Sequence, residues 1–290
     1  SEGVPMRFDP RRTAFRAVLD GDRCVHPASV HDPIAARLAE DIGFEIGMLA
    51  GSVASLAVLG APDLIVLTLS EFAGLAQRIG RASELPLMAD ADHGYGNALN
   101  VRRTVEELEM AGISGLSIED TELPRAHGAG AAPRLLSVEA GIGKMKAALA
   151  GRRDPKLVIA GRTSALAISG LDDCLARVTA YEKAGVDAIF VVGAKTRAEV
   201  DAISAAVSLP IILGGAPAEL RDLDYLSGAR VRICLQGHQP FAAAVEAVRA
   251  TLTALRNGTQ PGDLQGLASA ETMAVATDAA RYQKDSDAWL

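Results

Sequence analysis

Eight short apolar runs recur along this chain, each followed by a stretch of helical pattern, and this alternation narrows the available folds more than any other feature. The runs are Cys24–Ala28, Glu45–Gly51, Leu85–Asp90, Gly115–Glu119, Leu157–Arg162, Ala188–Val192, Pro210–Leu213 and Val231–Leu235. Each is bounded by Gly, Pro or charge, as expected for parallel strands buried on both faces. Between them the spacing predicts helices over Asp32–Ile42, Ser70–Ser83, Asn100–Ala111, Ser137–Ala150, Leu171–Ala184, Thr196–Val207 and Phe241–Leu255, with a short one over Ala218–Leu226. Asp-Pro opens the first of these and Ser70 caps the second. "MAGIS", "KAGVD" and "LSGAR" place a glycine at helix ends before the next strand. In a chain of 290 residues, eight such units predict an α/β fold, a (β/α)8 TIM-type barrel over residues 1–257, with a C-terminal helical extension over residues 258–290 as a subunit contact. A doubly wound open sheet and a seven-stranded count remain as rivals.

Composition removes several classes of function. The formal charge is −7 and no basic cluster interrupts it, which argues against nucleic acid as a partner. The three cysteines, Cys24, Cys174 and Cys234, form no C-x-x-C pair and read as reduced, buried thiols of a cytoplasmic protein. The N-terminal residues have no apolar run of the signal-peptide kind. The most apolar stretch, Gly47–Leu69, is interrupted by Gly51, Gly60, Pro62 and Asp63, and reads as a strand plus a loop, not a membrane span. Thr121–Pro133 (TELPRAHGAGAAP) lies outside the alternation just past a strand end; a mobile lid over the barrel mouth and a disordered loop both fit it. In the tail, Trp289 fits either a packing contact or a frayed end.

A barrel of this kind keeps its chemistry at the C-terminal ends of its strands. Gly51-Ser52, Asp90 with Asp92, Glu119-Asp120, Arg162 and Gly237-His238 all stand there, so five strands deliver polar groups to one rim. In "MADADHGYGN", alternation along an extended segment places Asp90 and Asp92 on one side. Carboxylates so close repel unless a cation lies near them. With Glu119 they offer oxygen ligands only, which suits Mg²⁺ or Mn²⁺ better than zinc. Gly94 and Gly96 then allow a sharp turn beside the metal. The plainer reading has Asp92 capping a turn and Asp120 pairing with a basic residue. Arg162 is a fork suited to a carboxylate, or else the ion-pair partner of Glu119 or Asp120. His238 is better placed than His26 or His31, and His93 within the motif suits a supporting role.

"MADADHGYGNALNVRRTVEELEMAGISGLSIEDTELP", "GSVASLAVLGAPD" and "GRTSAL" together resemble the isocitrate lyase and phosphoenolpyruvate mutase superfamily, over roughly Arg16 to Leu255. "NVRRTVEELEMAG", "IEDT" and "QGH" are most similar to its oxaloacetate decarboxylase branch. The resemblance implies a Mg²⁺-dependent (β/α)8 barrel and a homo-oligomer, a tetramer or dimer of dimers, whose C-terminal helices exchange between neighbours. It implies metal binding by Asp90, with Asp92 and Glu119 acting through waters. It assigns Ser52, Asp63, Arg162 and His238 to a small 2-oxo dicarboxylate, with Arg162 and His238 catalytic. His238 would place the leaving carboxylate or supply the proton. The implied reaction is decarboxylation of oxaloacetate, or a related 2-oxo diacid, to pyruvate through an enolate whose charge a bound metal offsets.

The departures sort the superfamily's members. "ELPRAHGAG" lacks the lid cysteine of the lyases, and Val191-Val192-Gly193 stands where they carry a glutamate. The lid also lacks the lysine and asparagine of the phosphonate enzymes. Gly214-Gly215-Ala216 replaces a loop that carries a tyrosine in decarboxylases, and Ser164 stands where relatives carry Asn, Asp or Glu. Alternatives are therefore a phosphonopyruvate hydrolase, a 2-methylisocitrate lyase-like enzyme, or a relative that binds a dicarboxylate without turnover.

Overall fold

In the computed structural model, which describes residues 7–128, 130 and 132–290, eight parallel strands follow one another around a ring in chain order. They are β1 (Ala28–Ser29), β2 (Gly47–Ala50), β3 (Leu87–Asp90), β4 (Gly115–Glu119), β5 (Val158–Thr163), β6 (Ala188–Val191), β7 (Ile211–Leu213) and β8 (Val231–Cys234). Val25, just before β1, bridges Ile233 of β8, donating its N–H to Arg232 O (2.9 Å) and accepting from Cys234 N (3.0 Å). Those bonds close the barrel. The open sheet and the seven-strand count both fall to them.

The helices are α1 (Asp9–Asp20), α2 (Pro33–Ile42), α3 (Gly51–Ala54), α4 (Leu69–Ala82), α5 (Ala98–Met110), α6 (Val138–Gly151), α7 (Ala165–Ile168), α8 (Leu171–Ala184), α9 (Arg197–Ala206), α10 (Leu223–Gly228), α11 (Gln239–Arg256), α12 (Ala270–Thr277) and α13 (Ala279–Trp289). Local capping chemistry sets several boundaries. Asp32 caps α2 through Ala35 N, Asn97 caps α5, and Ser137 caps α6. Thr68, not Ser70, caps α4, because Thr68 and Glu71 form a reciprocal capping box two residues earlier. Ala218–Leu226 is not one helix: a 3₁₀ turn over Ala218–Leu220 is followed by α10, which Asp222 caps. The stretch read as strand plus loop is a strand, then α3, then a π-helical turn over Ser55–Leu59. Ser52 to Leu59 carry no Gly or Pro, so nothing halts a helix there until Gly60 takes a left-handed φ of 62°. Of the loop Thr121–Pro133, residues 129 and 131 lie outside the described residues. Its stem is an antiparallel bridge between Thr121 and Leu135.

The strand pleat divides the interior in two. Met48, Met88, Val158, Ala160, Phe190, Ile212 and Ile233 fill the barrel, while Leu49, Ala89, Ile159, Ile189 and Ile211 pack outward against the helices. Phe15 and Leu19 of α1 join the inner cluster and seal its N-terminal end. Phe15 packs so close to β4 that a Cβ on Gly115 would lie 2.6 Å from its ring. Helix α1 has no counterpart in the sequence reading, because part of its buried side is made of arginines. Arg12 is 2 % exposed. It donates to Ile113 O (3.1 Å) and to Glu109 O (2.6 Å), and pairs with Asp154 (2.7 Å).

Removing that guanidinium strands the Asp154 charge and two carbonyls. Arg12→Met is expected to cost about 3 kcal/mol of stability, read as a lower urea midpoint, while leaving the strand-end cavity intact.

Candidate active site

The inward parity that fills the barrel with Met48, Met88, Val158 and Phe190 runs on to the rim. The next inward positions are Ala50 on β2, Asp90 on β3 and Arg162 on β5, and Glu119 on β4 pairs in register with Arg162. These residues, with Ser52, Asp63, Asp92, Phe190, Val192, Gly214 and His238, line one cavity of about 570 Å³ at the C-terminal ends of the strands. The residues assigned to substrate and metal from the sequence, namely Ser52, Asp63, Asp90, Asp92, Glu119, Arg162 and His238, all line that cavity.

Asp90 and Asp92 are neighbours by a different route from simple alternation. Two residues past the end of β3 the chain turns at Asp92, whose φ is 50°, a left-handed value that short polar side chains tolerate. The turn is fixed by Ala91 N to Ser117 O (3.1 Å), Gly94 N to Ala91 O (2.9 Å) and Glu119 N to Asp92 O (2.9 Å). Asp90 Oδ1 then accepts from the Asp92 amide (3.1 Å) and from Ser117 Oγ (3.4 Å). Two outside groups brace this loop: Lys144 Nζ donates to His93 O (2.6 Å) and Thr104 Oγ1 to Gly94 O (2.9 Å). Gly51 is required beside it, because a Cβ there would sit 2.3 Å from Asp92 Oδ2.

One oxygen from each of Asp90, Asp92 and Glu119 lies within 4.8 Å of the others. Burial pushes the Asp92 carboxyl well up, and the charges of Asp90 and Glu119 push it further. Burial also raises Glu119, against the pull of Arg162. Asp63 is raised by desolvation first and by Asp90 second. Arg162 Nη1 donates to Asp90 Oδ2 and its Nη2 lies 3.8 Å from Glu119 Oε1, while the guanidinium stacks on Phe190 at 5.0 Å. Arg162 thus lines the cavity and is an ion-pair partner at once. One guanidinium does not neutralise this group of carboxylates. An all-oxygen set, crowded, buried and short of positive charge, fits a hard divalent cation.

The remaining residues divide between cavity and support. His238 is half-buried, and Ser29 Oγ lies 2.7 Å from its Nδ1. Burial lowers its pKa, against Asp90 and Asp63, so the ring is neutral near pH 7. His93 lies outside the cavity wall; burial and then Lys144 hold it down to about 4. Asp120 takes the plainer role, pairing with Arg177 (3.1 Å) and accepting from Tyr181 OH (2.5 Å). Ser29 and Lys144 had no sequence signal, while Thr121, which donates to Glu119 Oε2 (2.5 Å), and Arg125, which lines the cavity, fall in the loop read only as a lid. Ser29 was hidden because the first strand reads as ending at Ala28, one residue short of the rim.

The sequence profile of the family described as Phosphoenolpyruvate phosphomutase matches residues 15–256. An oxaloacetate decarboxylase of Bradyrhizobium diazoefficiens is 59 % identical over 283 residues, 97 % of this chain and 98 % of that protein. Two solved structures superpose on 96 % of this chain. Oxaloacetate acetylhydrolase with the inhibitor 3,3-difluorooxalacetate has a TM-score of 0.83 at 26 % identity and is covered over 97 % of its length. Phosphonopyruvate hydrolase with oxalate and Mg²⁺ has a TM-score of 0.82 at 30 % identity and is covered over 99 %.

A carboxyl whose folded pKa is raised lowers stability as pH climbs past the ordinary carboxylate range, because the folded state resists ionisation. Metal-free Asp92→Asn is therefore expected to melt above the metal-free wild type at pH 7.5, with the gap narrowing toward pH 4. Millimolar Mg²⁺ or Mn²⁺ is expected to raise the wild-type melting temperature and to leave that of Asp92→Asn nearly unmoved. Differential scanning fluorimetry reads both.

Proposed function

The chain belongs to the phosphoenolpyruvate phosphomutase family, and on that premise we propose that it decarboxylates oxaloacetate, or a closely related 2-oxo diacid, to pyruvate and CO₂. The observation that carries this reading is a cavity that joins an oxygen-only carboxylate cluster to a half-buried histidine and is lined by no thiol. The full-length identity to an oxaloacetate decarboxylase supports it.

Asp90, Asp92 and Glu119 would hold Mg²⁺, or Mn²⁺, and the Mg²⁺ in the phosphonopyruvate hydrolase structure supports that choice. When bound, the cation supplies Lewis-acid polarisation of the 2-oxo group. In the reaction the C3–C4 bond breaks, CO₂ leaves, and the electron pair forms an enolate that takes a proton at C3. Arg162 and Ser52 orient the carboxylate beside the oxo group, and Arg162 adds fixed positive charge where enolate charge develops. Asp63 lines the same cavity. Ser29 fixes the His238 ring through Nδ1 and leaves Nε2 to meet the departing carboxylate or to deliver the proton.

The reading extends to residues 1–257 as the catalytic barrel, to residues 258–290 as a subunit contact, and to a homotetramer in the cytoplasm. Helix α11 supports the assembly: it has no buried residue and exposes Val245, Val248, Leu252 and Leu255. Such an apolar stripe on an 18-residue helix calls for a protein partner. Three unpaired, buried cysteines accord with a reducing compartment. Among the described residues no helix is long and apolar enough to cross a membrane.

Two outcomes are expected. Pyruvate formation from oxaloacetate with Mg²⁺ falls to the rate of free Mg²⁺ in Asp90→Ala, and by about a hundredfold in His238→Ala. Wild-type rates equal to Asp90→Ala would remove oxaloacetate as substrate and leave a panel of phosphono- and other 2-oxo acids to be tried. Val248→Glu with Leu252→Glu lowers the solution mass measured by light scattering to a smaller assembly.

A further inference from the structure

A dicarboxylate entering this cavity meets a wall that already carries Asp63, Asp90, Asp92 and Glu119. Two guanidiniums line the same space, Arg162 and Arg125. Arg162 is engaged by Asp90, Glu119 and the Phe190 ring. Arg125 has no such engagement among the described residues. It lies on the loop after β4, beside Leu123 and Pro124, which also line the cavity. The nearest carboxylate along that loop, Glu122, is taken by Arg134 at 3.0 Å. Arg125 is therefore the cavity's unassigned cation.

We propose that Arg125 is the specificity-determining residue that recognises the second carboxylate of a 2-oxo dicarboxylate, the one remote from the Asp90–Asp92–Glu119 cluster. This rests on the decarboxylase reading and names the group by which the site would tell a dicarboxylate from a monocarboxylate. The guanidinium fork matches a carboxylate in shape and charge. It lines the same cavity from the loop after β4, whereas the cluster is borne on strand ends, so a four-carbon diacid would engage both. A carboxylate that departs as neutral CO₂ holds its full charge only before reaction. Its pairing with Arg125 is thus strongest in the ground state and acts in capture and selection, not in lowering the barrier. Loss of Arg125 accordingly appears in KM ahead of kcat.

Two ligands separate the ends of the site. Oxalate, only two carbons long, would engage the end next to the carboxylate cluster, and 3,3-difluorooxaloacetate adds the remote carboxylate. Their affinities are measured by titration calorimetry with Mg²⁺ present, for wild type, Arg125→Met, Arg125→Lys and the loop-stem control Arg134→Met. Arg125→Met is expected to weaken difluorooxaloacetate by about tenfold or more and oxalate by less than about twofold. Arg125→Lys recovers part of the loss, and Arg134→Met changes neither ligand. Equal weakening of both ligands in Arg125→Met, or weakening of neither, overturns the proposal. Failure of the wild type to turn over oxaloacetate overturns the decarboxylase reading instead, and leaves the comparison of the two ligands intact.

Discussion

The pairing of Asp90 with Arg162 is the interaction on which the rest of the site depends. Asp90 ends β3 and Arg162 lies near the end of β5, so the pair reaches across β4 and clamps three strand ends together. Burial works against the Arg162 charge, and Asp90 and Glu119 more than restore it. The same guanidinium holds down carboxyls that burial and mutual repulsion would otherwise raise further. The arrangement is poised: without Arg162 the carboxylates repel, and with it alone they remain undercompensated. That residual excess of negative charge is a cost to the folded chain and the source of affinity for a divalent cation.

Much of this was legible in the sequence because the barrel converts position along a strand into position in space. A run that alternates between core layers, as Leu87–Asp90 does, must present its last inward residue at the rim. Asp90, Glu119 and Arg162 follow from that rule alone. Asp92 does not. Its nearness to Asp90 comes from a left-handed turn set by bonds to Ser117 and Glu119, so the pairing inferred from alternation was right while its cause was tertiary. Strand ends were readable to a residue or two, and one such residue hid Ser29. Helix α1 escaped because Arg11 and Arg12 lie buried, and hydrophobic periodicity cannot see a guanidinium satisfied by carbonyls on distant helices and loops.

The chemistry open to the cavity follows from the proton carriers it has and lacks. Cys24 and Cys174 are pushed up to about 12 and Cys234 to about 11, chiefly by burial, and none lines the cavity. A reaction that needs a thiol to protonate a leaving carbanion has no donor here. Decarboxylation asks for less. Its leaving group is neutral and needs no proton, so a single modest donor that acts afterwards suffices. His238, neutral and steadied by Ser29, is such a group. Part of the cavity wall is apolar, formed by Phe190, Val192, Gly214 and Leu235, and a Cβ on Gly214 would come within 2.8 Å of Val192. Gly214 and Val192 thus offer no polar group to a second reacting centre. The cavity combines a carboxylate cluster, a histidine and an apolar stretch of wall. That set suits a reaction in which electrons collapse toward the cluster while an uncharged molecule departs.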